Sequence, residues 1–396
     1  MRRRTIQTVV IMMLLSFGGS LGVLAQEIPV TALYSRLLNK NEQCLELVIK
    51  GDEVRYLGDG LLVAGAGSLV RLDRYYALAS RFVRYQVRFS GDTHAVFQGD
   101  TGPFKVYIDI ANKKMGFVTD PRIEKTVDFL NAKDEYFVEI HREYQQSIVR
   151  LVNLNTGERA EISATHDGRG GHGRGAESPG FAVGLQYDYY CFGITSGGPM
   201  LVKQMGVYSR LRDLTLLMYG DSITEPDGYY PSADFRQAWT QLVIKQLDGR
   251  AAASARGGTT ILQILKRIKN ELPYIKAKYV MVTIGTNGKN TEENLSELVE
   301  YIQSQGAIPL LNNIPANESG TQIPVNAMIE KVRKKYGIKG CRFDLATSVH
   351  KDGLEVDKTA MYLEDYAHKQ IYHHPNIKGA KLMFEQTLID IPEIYK

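Results

Sequence analysis

The sequence predicts an antiparallel β-sandwich over residues 26–210, followed by a parallel α/β domain over residues 211–396. Two textures carry this expectation. The first stretch runs as short β-branched and aromatic segments broken by turn residues, and the second alternates strand-like with helix-like segments. A chain of 396 residues is long enough for two such domains with buried cores. Hydrophobic residues at 44% and charged residues at 23% exclude a disordered chain.

The first 25 residues belong to neither texture. Arg2, Arg3 and Arg4 precede an apolar run over residues 9–17, and Val23-Leu24-Ala25 offers the small residues a signal peptidase reads. The run is too short to span a bilayer comfortably, and no cysteine marks a lipoprotein cleavage point. A cleaved signal peptide is expected, hence a secreted or periplasmic address and no stable membrane insertion. Removing the three arginines leaves 45 basic against 44 acidic residues, a balance that gives no electrostatic case for nucleic acid. Cys44, Cys191 and Cys341 lack metal-ligand spacing; either one pair bridges or all three are buried thiols.

Within the first domain, residues 82–89 alternate apolar and polar side chains and stop at Ser90-Gly91-Asp92. Residues 105–110, 136–140 and 147–152 read as further strands, the last closed by a turn ending at Gly157. Many short strands with turns between them point to a sandwich. The glycine-rich stretch 166–180 reads as a surface loop, because glycine makes ordering costly.

In the second domain, strands are expected at residues 214–219, 251–255, 279–284, 308–311 and 342–345. Helices are expected at 235–246, 260–270, 292–303, 325–335 and 378–388. Five strand-helix units imply a parallel sheet covered on both faces, with reactive groups gathered at the carboxyl ends of its strands.

Those ends hold what acyl transfer needs. Gly220-Asp221-Ser222 follows the first strand and would present a hydroxyl at the sheet edge, with the Ser222 N–H aimed at a developing oxyanion. Arg256-Gly257-Gly258 follows the second, where a glycine N–H can approach a substrate closely. Gly285-Thr286-Asn287 follows the third and adds an amide donor. His374-Pro375-Asn376 opens the last helix and offers a general base. Singly each is a common turn; their order, each after the expected element, is not common.

These four blocks resemble those of SGNH (GDSL-like) hydrolases, over roughly residues 213–396. The resemblance implies a flavodoxin-like three-layer α/β/α fold and an esterase, acetylesterase or lipase activity. It implies Ser222 as nucleophile and His374 as base. The implied oxyanion hole is the Ser222 N–H, the Gly257 N–H (or that of Gly258) and the Asn287 side chain. Gly288 stands where the family often has aspartate, at a largely structural position. The family's acid three residues before the histidine is here Ile371, which cannot orient an imidazole. Three arrangements stay open. Of the upstream Glu364 and Asp365, Asp365 enters the role through an insertion; a backbone carbonyl holds the histidine, as in the Ser-His dyad of the related carbohydrate esterase family 2; or the site is inactive.

Of the remaining candidates, His373 is a neighbour of the base, and His350 and His368 carry no motif. Asp221 is expected to brace the turn, Trp239 to pack in the core, and Tyr229 and Tyr230 to line an acyl pocket. The first domain loosely resembles the lectin-like or jelly-roll domains of secreted carbohydrate esterases, and Tyr187, Tyr189 and Tyr190 are candidates for stacking on sugars. The leading expectation is therefore an exported carbohydrate esterase removing acetyl groups. A general carboxylester or lipid hydrolase is the second. A glycan-binding protein with an inactive hydrolase domain is the third, motivated by Ile371. No metal or organic cofactor is implied.

Overall fold

The computed structural model describes residues 30–41, 44–98, 105–118, 122–143, 146–165, 190–225, 230, 233–366 and 369–396. The expected signal peptide (residues 1–25), the 166–180 stretch, Tyr187, Tyr189, Tyr229 and His368 lie outside these residues.

Two antiparallel sheets face each other in the first part of the chain. One runs, in spatial order, Arg159–Thr165, Gln146–Asn153, Glu135–Glu143, Arg81–Phe89, Met200–Ser209, Leu61–Val63 and Val54–Tyr56, with Thr31–Leu37 also paired to Met200–Ser209. The other runs Ile123–Thr126, Lys114–Phe117, Lys105–Asp109, His94–Gln98, Cys191–Ser196, Leu69–Leu72 and Leu47–Lys50. The alternation of residues 82–89 sets which side chains face inward. Val83, Tyr85, Val87 and Phe89 are buried between the sheets, and Tyr85 meets Phe97 and Phe192 across the core at 5.2 and 5.4 Å between ring centroids.

The opposite face is polar but not open. Phe82 is buried there between His141 and Tyr208, stacked at 4.6 and 5.2 Å, beneath the guanidinium groups of Arg84 and Arg210. Glu139 accepts from Arg84 Nε at 2.7 Å and pairs with His141 Nε2 at 2.8 Å. Burial opposes ionisation of Glu139, but the His141 bond and the Arg84 charge prevail and hold its carboxyl at about 2.

Tyr190, a candidate for sugar stacking, is instead a core residue: it is 1% exposed and its hydroxyl accepts from Arg81 Nε at 2.8 Å. None of the three cysteines is in a disulfide; Cys191 and Cys341 are buried, and Cys44 Sγ lies 3.0 Å from the Tyr34 hydroxyl.

The second part is a parallel sheet in the order β2-β1-β3-β4, formed by β1 (Leu214–Gly220), β2 (Ala251–Ala255), β3 (Ala277–Thr283) and β4 (Ile308–Asn312). Its strands are apolar on both faces, as a sheet between two helix layers requires. On one face lie α2 (Ile261–Glu271), α3 (Glu292–Ser304) and α4 (Gln322–Tyr336); Leu217, Ile264, Leu298 and Ile329 share that core. On the other lie α1 (Trp239–Gln246), α5 (Phe343–Ala346) and α6 (Ile377–Asp390), where Met218, Trp239, Phe343 and Met383 pack together. Side-chain caps begin two of these helices: Thr291 accepts from the Asn294 N–H and Asn376 from the Gly379 N–H.

The expected fifth strand is absent among the described residues. Residues 342–345 make one parallel bridge, Asn313 to Arg342, and then wind into α5. Phe343 is thereby turned against Trp239 at 5.1 Å, and that packing favours a helical turn over a strand. Beyond it the chain forms a separate hairpin of β5 (Met361–Tyr366) and β6 (Lys369–Pro375).

Candidate active site

Ser222 stands in the turn that leaves β1. The preceding glycine is required sterically: a Cβ on Gly220 would lie 2.0 Å from Thr224 Oγ1. Asp221 is fully buried and braces this turn, accepting from the Ile223 N–H at 3.0 Å. Burial raises its carboxyl to about 6, against the lowering effects of that bond and of the nearby His374 and Arg267 side chains. Trp239 is a core residue whose indole donates to the Ile223 carbonyl at 2.7 Å, fixing the far side of the turn.

His374 arrives from the hairpin. Its Nε2 is 2.9 Å from Ser222 Oγ, and its Nδ1 is 2.5 Å from Glu364 Oε2. Both side chains of the His374–Glu364 pair are under 10% exposed. A carboxylate only accepts, so Nδ1 carries the proton and Nε2 is left to accept from the serine hydroxyl. This arrangement can take a proton from Ser222 while the carboxylate stabilises the resulting imidazolium.

The carboxylate is not that of Asp365. Asp365 points to the exposed face of the hairpin, where its Oδ1 accepts from Gln370 Nε2 at 2.5 Å. The ladder explains the choice. Glu364 pairs with Ile371 and Asp365 with Gln370, but the register shifts between Met361 and Leu363. Three residues on β6 cover the step that two cover on β5, so alternation breaks between Tyr372 and Pro375. Strict alternation would bring His373 to the face of Glu364; the shift brings His374 there. His373 is buried beside it, its ring edge-on at 4.5 Å. His350 is exposed.

The hairpin is tied down on both sides. The Tyr372 N–H donates to Glu318 Oε2, and the Glu318 N–H donates to the Tyr372 carbonyl, both at 3.0 Å. Tyr230, expected in an acyl pocket, is 3% exposed and its hydroxyl donates to the Pro375 carbonyl at 3.2 Å. It therefore supports the chain beside His374 instead of facing a substrate.

The three expected oxyanion donors are in different states. The Ser222 N–H has no acceptor among the described residues. Asn287 Nδ2 donates to the Thr259 carbonyl at 3.1 Å and to Asp221 Oδ2 at 3.3 Å. The Gly257 N–H is engaged by Glu225 Oε2 at 2.6 Å, and Glu225 also pairs with Arg256 at 2.5 Å. Both members of that ion pair are buried. The expectation that Gly257 donates to an oxyanion is thus corrected: a buried carboxylate holds that N–H. Nothing in the sequence spacing singled out Glu225, because its partner lies in a turn thirty-one residues away. Among the described residues no group of three or more His, Cys, Asp or Glu side chains forms a metal site.

No protein-family model matches the sequence, and no curated protein matches it. Among solved structures, the chain is similar to the psychrotrophic esterase EstA from Pseudoalteromonas sp. (18% identity, 46% of this chain and 98% of that one, TM-score 0.36). It is similar to a GDSL-like lipase from Bacteroides thetaiotaomicron (14% identity, 43% and 84%, TM-score 0.33). It is also similar to a family two carbohydrate esterase from Cellvibrio japonicus (10% identity, 93% and 99%, TM-score 0.34). Likenesses at this level carry no functional argument, and the site is read from its own geometry.

Proposed function

We propose that the protein is a serine carboxylester hydrolase of the SGNH type, with Ser222 as nucleophile, His374 as general base and Glu364 as the orienting acid. The observation that carries this reading is the unbroken chain from Ser222 Oγ through the His374 ring to Glu364, in a buried setting. Ser222 Oγ attacks the acyl carbonyl as its proton passes to His374 Nε2. The tetrahedral intermediate collapses when His374 returns that proton to the departing alkoxide, leaving an acyl-serine. Water, deprotonated by His374, then releases the acid and restores the hydroxyl. The Ser222 N–H is the available oxyanion donor, joined by Asn287 once its amide turns from Thr259 towards the substrate.

Acetyl esters of carbohydrate are the proposed substrates, and the outside of the cell or the periplasm the proposed location. The N-terminal basic and apolar segment supports export, and the sandwich ahead of the α/β layers supports a carbohydrate setting. The test is hydrolysis of p-nitrophenyl acetate and of acetylated polysaccharides by the mature protein, beside Ser222→Ala and His374→Ala. Turnover abolished by both substitutions is expected. No turnover above the Ser222→Ala control on any of these esters would sink the proposal.

A further inference from the structure

We infer that the β-sandwich is part of the active-site scaffold, through a relay from the half-buried Tyr75 to the buried Arg267 and on to the Gly220 carbonyl, which sets the position of Ser222. The inference rests on the reading of Ser222 as nucleophile.

The relay begins in residues 73–80, which join two sandwich strands, Leu69–Leu72 and Arg81–Phe89. This segment lies along β2, the edge strand of the parallel sheet. Leu78 forms an antiparallel bridge with Ser254, and the Ala79 N–H donates to the Ala253 carbonyl at 3.3 Å. An edge that would otherwise be open is thus covered by the sandwich. The same segment grips the last turn of α2. Asn270 Nδ2 donates to the Tyr75 carbonyl at 3.2 Å, and the Ala77 N–H donates to Glu271 Oε1 at 2.9 Å.

Arg267 stands between that grip and the nucleophile. It is fully buried, as is Glu271 one turn later. Its Nη1 donates to the Tyr75 hydroxyl at 3.3 Å, with the guanidinium 5.3 Å from the tyrosine ring centroid. Its Nη2 donates to the Gly220 carbonyl at 2.8 Å. Gly220 is the last residue of β1, two residues before Ser222. A guanidinium is a rigid planar fork, so a ring held on one side and a carbonyl on the other fix each other's direction. An unshared cation would be strongly disfavoured in this dry setting. The sandwich supplies one side of that fork and the nucleophile strand the other. Displacement of a reacting group by about 1 Å can lower a rate about a hundredfold, so Arg267 acts as a positioning residue.

The test uses the full mature chain with Arg267→Gln, Arg267→Lys and Tyr75→Phe. Rates are expressed per active site titrated with a serine-directed phosphonate, below each variant's melting temperature. Arg267→Gln is expected to lower kcat about a hundredfold with KM unchanged. Arg267→Lys, which keeps a cationic donor, should regain much of that loss. Tyr75→Phe should lower kcat by about two- to tenfold. A merely structural role would lower the melting temperature and leave kcat per titrated site intact, and that outcome overturns the inference. If Arg267→Gln does not fold, Tyr75→Phe decides it: a several-fold fall in kcat per titrated site supports the inference, and wild-type kcat overturns it. Wild-type turnover that depends on Ser222 but ignores these changes removes this inference alone. Absence of Ser222-dependent turnover removes the esterase reading and this inference together.

Discussion

Glu364 and Ile371 face each other across the hairpin, paired in register on neighbouring strands. The carboxylate expected at position 371 is thus supplied by the residue directly opposite it. Directly opposed side chains share one face of a ladder, with Cβ atoms about 5 Å apart. An acid can therefore change strands and still reach the same imidazole. Glu364→Gln is expected to lower kcat by about 10³–10⁴-fold, because the amide can donate to Nδ1 and stabilise the wrong tautomer. Moving the acid back, in Glu364→Ala/Ile371→Asp, should recover part of that loss relative to Glu364→Ala alone. Steady-state kinetics on p-nitrophenyl acetate check both, and a Glu364→Gln enzyme of wild-type kcat would refute the assignment.

Asp365→Asn should do almost nothing. Its carboxylate is engaged by Gln370 on the exposed face, and surface changes of this kind shift stability by about 0.5 kcal/mol or less. A large fall in kcat for Asp365→Asn would contradict the site as described.

Asp221 gives the site a pH-dependent stability of a definite sign. Its folded-state carboxyl is raised to about 6, above the ordinary 3.8. Between those values the folded protein holds a proton that the unfolded chain has released. Stability is therefore greatest below the lower value and declines as pH rises through the upper one. The wild type should lose about 2 kcal/mol relative to Asp221→Asn between pH 4 and pH 7. Denaturant titrations of both proteins across that range measure the difference, and parallel curves would show that burial does not govern this carboxyl.

Glu225→Gln should destabilise the fold. It removes one charge of a buried pair and leaves the Arg256 guanidinium in a dry site, a change that typically costs about 3–5 kcal/mol. The melting temperature of the variant is the readout, and an unchanged value would mean that Arg256 finds compensation elsewhere.

The α/β layers were largely legible in the sequence because apolar strands and amphipathic helices alternate with clear turns. Helices α2, α3 and α6 lie within a residue or two of the expected ranges. At residues 342–345 the strand-like pattern gives way to a helical turn after the Asn313–Arg342 bridge, and that turn sets Phe343 against Trp239. Within the site, the geometry joins Ser222 and His374, both found from turn chemistry beside strand ends. Glu364 was named upstream but passed over for Asp365, since nothing local marks a register shift. Strand alternation counted forward from Ile371, the residue opposite Glu364, would even have chosen His373. Tyr230 and Gly257 were misread for a related reason. Their partners, Pro375 and Glu225, are distant in sequence, and only the tertiary fold shows that their polar groups are already engaged.

The register shift in the hairpin also works as a selector. Residues 364 and 365 are both acids and residues 373 and 374 are both imidazoles, so four pairings exist in principle. One extra residue on β6 is what brings a single acid and a single base to the serine. The two residues between Tyr372 and Pro375 are those imidazoles themselves, and strict alternation would turn the first of them, His373, towards Glu364. The extra residue hands that place to the second, so identity at this site depends on spacing as much as on composition.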